Sequence, residues 1–86
     1  MQIKTDSYKL MFEETLGELF VHLDVYEWTP SAYKQMLLDL EDIKAAAGRT
    51  LYCCINKLES FKIKLAQMFG FIPVYEIEDN FIMELK

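Results

Sequence analysis

The sequence predicts one α/β (α+β) domain over residues 1–86, with elements in the order ββαβαββ folded as a single mixed, twisted sheet with two helices. Three observations carry this expectation. Apolar alternation marks two strands near the N-terminus, two later stretches carry helical apolar spacing, and one apolar strand stands between those stretches. Strands separated by helices call for right-handed crossovers and parallel pairing.

Tyr8 to Glu13 reads as a strand with Tyr8, Leu10 and Phe12 on one face. Glu14-Thr15-Leu16-Gly17 reads as a turn in which Gly17 supplies a positive φ. Glu18 to Tyr26 puts Leu19, Val21, Leu23 and Val25 on one face and Phe20, His22, Asp24 and Tyr26 on the other. The pair makes an antiparallel hairpin. Thr29 suits a helix N-cap, and Pro30 suits the first helical position, where its missing N–H costs nothing. Over 30–47, Tyr33, Met36, Leu37, Leu40, Ile43 and Ala47 share one helix face, and Gly48 ends the helix. Leu51 to Ile55 is apolar on both faces, the pattern of an interior strand covered on two sides.

Asn56 reads as the N-cap of a second helix over 57–69, with Glu59 reaching back as in a capping box. Its apolar stripe is Leu58, Phe61, Leu65, Met68 and Phe69, and Gly70 closes it. Ile72 to Glu78 and Phe81 to Leu85 form a terminal hairpin across Asp79-Asn80, with Pro73 marking the first of them as an edge. The expected strand order is 8–13, 18–26, 50–55, 81–85, 72–78.

Composition sets further bounds. A chain of 86 residues has room for one core and buries only about 60% of its unfolded surface. With 52% hydrophobic and 27% charged residues it falls outside the disordered class. A net charge of −5 argues against general nucleic-acid binding. The charge is uneven: residues 44–64 hold Lys44, Arg49, Lys57, Lys62 and Lys64 against Glu59 alone. That stretch is a solvated helix face or a dock for an anionic group. Adjacent Cys53 and Cys54 point to opposite sides of a strand, so both are expected as free thiols in a reducing compartment. The N-terminus has no apolar signal-peptide core and no run spans a bilayer, which points to the cytoplasm.

Strand–helix–strand–helix–hairpin, with Met68-Phe69-Gly70-Phe71 joining the last helix to the hairpin, resembles the C-terminal half of the GNAT acetyltransferase superfamily. The last strand, Phe81-Ile82-Met83-Glu84-Leu85, is similar too. Val21-His22-Leu23-Asp24-Val25 followed by Trp28-Thr29-Pro30-Ser31 resembles short phage-encoded, GNAT-like viral proteins, which implies a host-cytoplasmic setting. The likeness covers roughly residues 18–86 and implies a truncated GNAT-like domain. It also implies acetyl-CoA as cofactor, but two features depart from the family. GNAT enzymes hold the pyrophosphate on a Gly-rich loop before a helix, where backbone N–H groups approach the phosphates. Here that stretch, Glu27 to Ala32, has no glycine, and Pro30 removes a donor. The family's general-acid tyrosine falls on Ala66.

His22 and Asp24 share a face, so the carboxylate could orient the ring for acid–base work; a structural or surface histidine is the plainer reading. Thr29 and Ser31 at a helix start, with Lys57, are candidates for a cofactor phosphate, although capping alone explains Thr29. No Cys/His spacing suits a metal. The expected function is a reduced GNAT-like interaction protein without efficient acetyl transfer and with no cofactor. The alternatives are an N-acetyltransferase with an atypical loop and an acidic phage inhibitor. Strands 8–13 and 71–78 are expected as edges, with Phe20, Tyr26, Tyr52, Ile72 and Val74 on an uncovered face. Such a face predicts a homodimer or a protein partner, with Trp28 as a further anchor, unless residues 1–7 fold back over it.

Overall fold

The computed structural model describes residues 1–85. The elements are β1 (Gln2–Lys4), β2 (Tyr8–Thr15), β3 (Glu18–Val25), α1 (Pro30–Ala47), β4 (Leu51–Asn56), α2 (Ser60–Met68), β5 (Ile72–Ile77) and β6 (Asn80–Leu85). Six strands form one mixed sheet in the order β1-β2-β3-β4-β6-β5. Only β3 and β4 run parallel. The expected arrangement of five strands and two helices is present, with one strand added.

The added strand is β1, which pairs with β2 from Gln2↔Met11 to Lys4↔Lys9. Three residues are too few to show alternation. Thr5 Oγ1 accepts from Tyr8 N at 3.1 Å and closes the return. Residues 1–7 therefore extend the sheet edge instead of covering a face, and β2 is not an edge. The two outer strands are β1, which is short and carries Lys4, and β5, which carries Pro73 and a register shift between Pro73 and Tyr75. Shortness, proline and bulges are devices that stop a strand edge from pairing with another chain.

The β2–β3 hairpin runs two residues further than expected. Its loop is Leu16-Gly17, with φ of 55° and 79°, the two positive values of a type I′ turn. In the last hairpin the loop is Glu78-Asp79, and Asn80 already pairs with Ile77.

Helix α1 starts and stops where the sequence places it. Extended Thr29 accepts from Ala32 N at 3.0 Å, and left-handed Gly48 returns its N–H to Lys44 O. Ala32, Met36 and Leu40 are buried; Tyr33, Leu37 and Ile43 flank them, while Ala47 is exposed.

Helix α2 starts three residues later than expected. Asn56 is still in the sheet, paired with Asn80, and Lys57 N donates to Asp79 O at 2.8 Å. The chain is held by the β5–β6 hairpin and turns only after that point. Asn56 Oδ1 accepts from Leu58 N at 2.9 Å, which makes a local turn. Glu59 is the N-cap without a side-chain bond, so no capping box forms. The buried face is also rotated from the expected stripe. Leu65, Ala66 and Phe69 are inside, while Leu58, Phe61 and Met68 are 91%, 55% and 53% exposed. Leu58 lies outside the helix, so helical spacing does not apply to it. The helix ends in a Schellman motif: Phe71 N donates to Ala66 O and Gly70 N to Gln67 O.

The core lies between the helices and one sheet face. Tyr8, Leu10 and Phe12, then Val21 and Leu23, then Leu51, Cys53 and Ile55 point into it from alternate strand positions. Tyr8 hydroxyl donates to Asp39 Oδ2 at 2.5 Å, and Gln35 Nε2 donates to Asp39 Oδ1 at 3.1 Å. Burial, then the Asp39 bond, push the Tyr8 phenol well above its ordinary range, so it stays a donor.

Both helices pack on the same core, since Tyr33 of α1 stacks on Phe69 at 5.2 Å and donates to Met68 O at 3.1 Å. The opposite sheet face has no helix on it. This corrects the two-sided reading of β4: Cys53 is buried and Cys54 is exposed.

The two thiols should therefore react differently. Burial, then the neighbouring Cys54, push the Cys53 thiol up to about 12, so it stays protonated and shielded. Ellman titration of the native chain at mildly alkaline pH is expected to give one rapid equivalent, from Cys54, and a second only on unfolding. Two rapid equivalents would contradict this packing.

Candidate functional site

β3 and β4 pair only at Leu19↔Leu51 and Phe20↔Tyr52. Beyond those two pairs they diverge, while each stays paired on its far side. The split holds about 210 Å³ and is lined by residues 21–24 of β3, 53–55 of β4, and Glu59 and Lys62. Lys62 projects from the helix side, yet its Nζ lies 3.7 Å from Asp24 Oδ1 on the outward face, and 3.9 Å from Glu59 Oε1. The split thus opens through the sheet.

A second and larger depression lies on the helix-free face. It holds about 480 Å³. Its floor is Phe20, Tyr52, Cys54 and Ile82, with Leu16 and Thr15 at one wall and Tyr75 and Ile77 at the other. Phe20 and Tyr52 rings meet at 5.7 Å across the parallel seam. Glu13 and Glu18 supply its carboxylates and His22 its imidazole. His22 and Cys54 line both depressions, so the groove adjoins the split.

The bulge in β5 builds one wall. Pro73 opposes Met83 on the core side, but Tyr75 opposes Ile82 and Ile77 opposes Asn80 on the outer side. The extra residue, Val74, turns Tyr75 and Ile77 onto the same face as Ile72. Unbroken alternation had placed Ile72 and Val74 there. Val74 is half-buried, and Tyr75 and Ile77 are the exposed ones. Pro73 was the signal, because proline inside a strand marks an edge or a bulge. Tyr26 lies past the end of β3, with its N–H on Ser7 O at 2.8 Å, and does not line the groove.

The expected catalytic and cofactor residues separate. His22 Nε2 lies 2.6 Å from Glu13 Oε1 on the neighbouring strand, and Asp24 turns to Lys62. Residues two apart on a strand share a face, but here both partners come from other elements, Glu13 diagonally across on β2 and Lys62 on α2. Thr29 spends its hydroxyl on the helix cap, and Ser31 is exposed beside it. Lys57 points to the β5–β6 hairpin, with Nζ 3.4 Å from Glu76 Oε2 and 5.4 Å from the Phe81 ring centre.

The basic stretch is likewise spread out, with Arg49 held by Glu14 and the Gly17 carbonyl. Ala66 is fully buried. Trp28 is 42% exposed and meets Tyr33 and Phe61 edge-on at 5.7 and 6.3 Å, so it joins the two helices at their outer surface and is not a core residue. Among the described residues there is no cluster suited to a metal ion, and no helix is long and apolar enough to cross a membrane.

Comparison with protein-family models, with curated proteins and with solved structures finds no match to this chain.

Proposed function

We propose that the chain is a reduced GNAT-like domain, of the kind phages encode, that works by docking protein on its helix-free sheet face and does not transfer acetyl groups efficiently. The observation that carries this reading is the groove on that face. Leu16, Tyr75 and Ile77 are 96%, 65% and 57% exposed around one depression, and large clustered apolar exposure marks interaction surfaces. The molecule measures 33 × 30 × 19 Å, so one sheet face is on the scale of the ~800 Å² per partner of an ordinary interface. Against acetyl transfer stand the separated His22 and Asp24 and the buried Ala66 at the acid position. The acidic-inhibitor reading needs gathered carboxylates, whereas Glu13, Glu14, Asp24 and Glu76 are paired at separate places.

A second reading, acetyl-CoA binding, is favoured by the split between β3 and β4. Parallel strands that part after two pairs leave backbone donors and acceptors facing a gap that an amide-bearing chain can enter. Calorimetric titration with acetyl-CoA separates the readings. No saturable heat is expected. Micromolar binding that Ser31→Ala abolishes would replace the docking reading with the enzyme. Light scattering over a dilution series then tells a second copy from another protein, since a constant one-chain mass excludes the homodimer.

A further inference from the structure

Three independent features meet at the groove on the helix-free face. The first is Leu16. It is the first residue of a type I′ turn, at φ 55° and 96% exposed. Asn or Gly suits that position, and leucine there is both strained and in water. A residue that breaks its local rule without any packing return is where a functional role is to be sought. The second is the β5 bulge, which adds Tyr75 and Ile77 to a face that already lacks cover. The third is charge. Among the described residues, the charged side chains lining the groove are Glu13 and Glu18, and no lysine or arginine lines it. Glu13 has His22 beside it, while no described group forms an ion pair or hydrogen bond with the Glu18 carboxylate.

An occupant of this groove must cover apolar surface and also meet a carboxylate. Covering Glu18 with an apolar partner would strip its water and give nothing back. A second copy would bring its own Glu13 and Glu18 to the same place, between chains that each carry −5. A cation at the margin of an apolar stripe meets both demands. We infer that the groove receives an amphipathic segment of another protein, with its apolar side on Leu16, Phe20, Tyr75 and Ile77 and a lysine or arginine at Glu18. This rests on the docking reading and names the partner's chemistry.

The probe is a fluorescently labelled amphipathic peptide of leucine and lysine, with a leucine/glutamate peptide of the same pattern as control. Anisotropy is expected to show saturable binding of the first and none of the second. Leu16→Asn and Tyr75→Ser should each weaken it about tenfold or more, the loss of one buried anchor. Leu16→Asn should also leave the melting temperature at or above wild type, because Asn-Gly suits the turn, so lost binding would not be lost folding. Glu18→Gln should weaken the lysine peptide and flatten its salt dependence.

If both peptides bind equally and Leu16→Asn weakens both, the charge assignment fails while the docking face stands. Lysine-peptide binding that ignores Leu16→Asn and Tyr75→Ser is diffuse attraction to an acidic protein and overturns the inference. A dimer that Leu16→Asn dissociates makes the second copy the occupant, which overturns the inference and keeps the docking face. A one-chain mass with no peptide bound overturns both.

Discussion

Leu40→Ala is expected to destabilise the chain by about 2–5 kcal/mol, the range for emptying a well-packed leucine site. Leu40 is fully buried on α1. A domain of this size has a stability near the lower end of the usual ~5–15 kcal/mol, so the variant stands close to unfolding at ambient temperature. Phe61→Ala is the paired control. Its helical spacing marked Phe61 as an equal core member, but it is 55% exposed and rests edge-on against Trp28. Its loss should cost roughly 1 kcal/mol or less, as for surface sites. Urea denaturation of both variants reads the difference as a shift in midpoint at unchanged slope. Equal shifts would mean that α2 is rotated from the orientation described above.

Gly70→Ala is expected to cost about 1–3 kcal/mol. Gly70 has a φ of 99°, outside the narrow left-handed basin that other residues tolerate. An added Cβ would also stand 3.2 Å from Leu85 Cδ1, so the Leu85 side chain must shift to admit it. For a chain of this length each kcal/mol moves the melting temperature by ~4–8 °C. Gly48→Ala makes the comparison, because Gly48 sits at φ 64° with nothing near its Cβ position. The Gly70 variant should melt below the Gly48 variant. The reverse order would show that the approach of Leu85 is not a constraint.

The fold was legible in the sequence because its signals are local and redundant. Thr29, Pro30 and Gly48 each act on their own backbone, and they bound α1 where the structure has it. Alternation along residues 18–25 fixed which face of β3 is buried. Two of the misreadings share one cause, which is tertiary contact overriding a local pattern. Asn56 has the chemistry of an N-cap, but the β5–β6 hairpin keeps it in the sheet. β1 exists because β2 offers an edge, and nothing in Gln2-Ile3-Lys4 announces it.

The candidate site was half legible. Phe20, Tyr52 and Ile72 were placed on the uncovered face by alternation, and a single bulge exchanged Val74 for Tyr75 and Ile77. The His22–Asp24 pairing failed because each side chain takes its partner from another element, His22 from Glu13 of β2 and Asp24 from Lys62 of α2, and spacing along β3 says nothing of either.

Separating the sticky face from the strand edges governs how this chain behaves when crowded. Cross-β growth needs a strand edge with free hydrogen-bonding groups, so that identical segments stack without limit. Three-residue β1 and proline-bearing, bulged β5 deny that template at both rims of the sheet. The apolar side chains are offered broadside instead, where contact is bounded by the area of one face and cannot propagate by adding strands. A face-to-face contact at the groove would close on itself, whereas pairing at a strand edge would not.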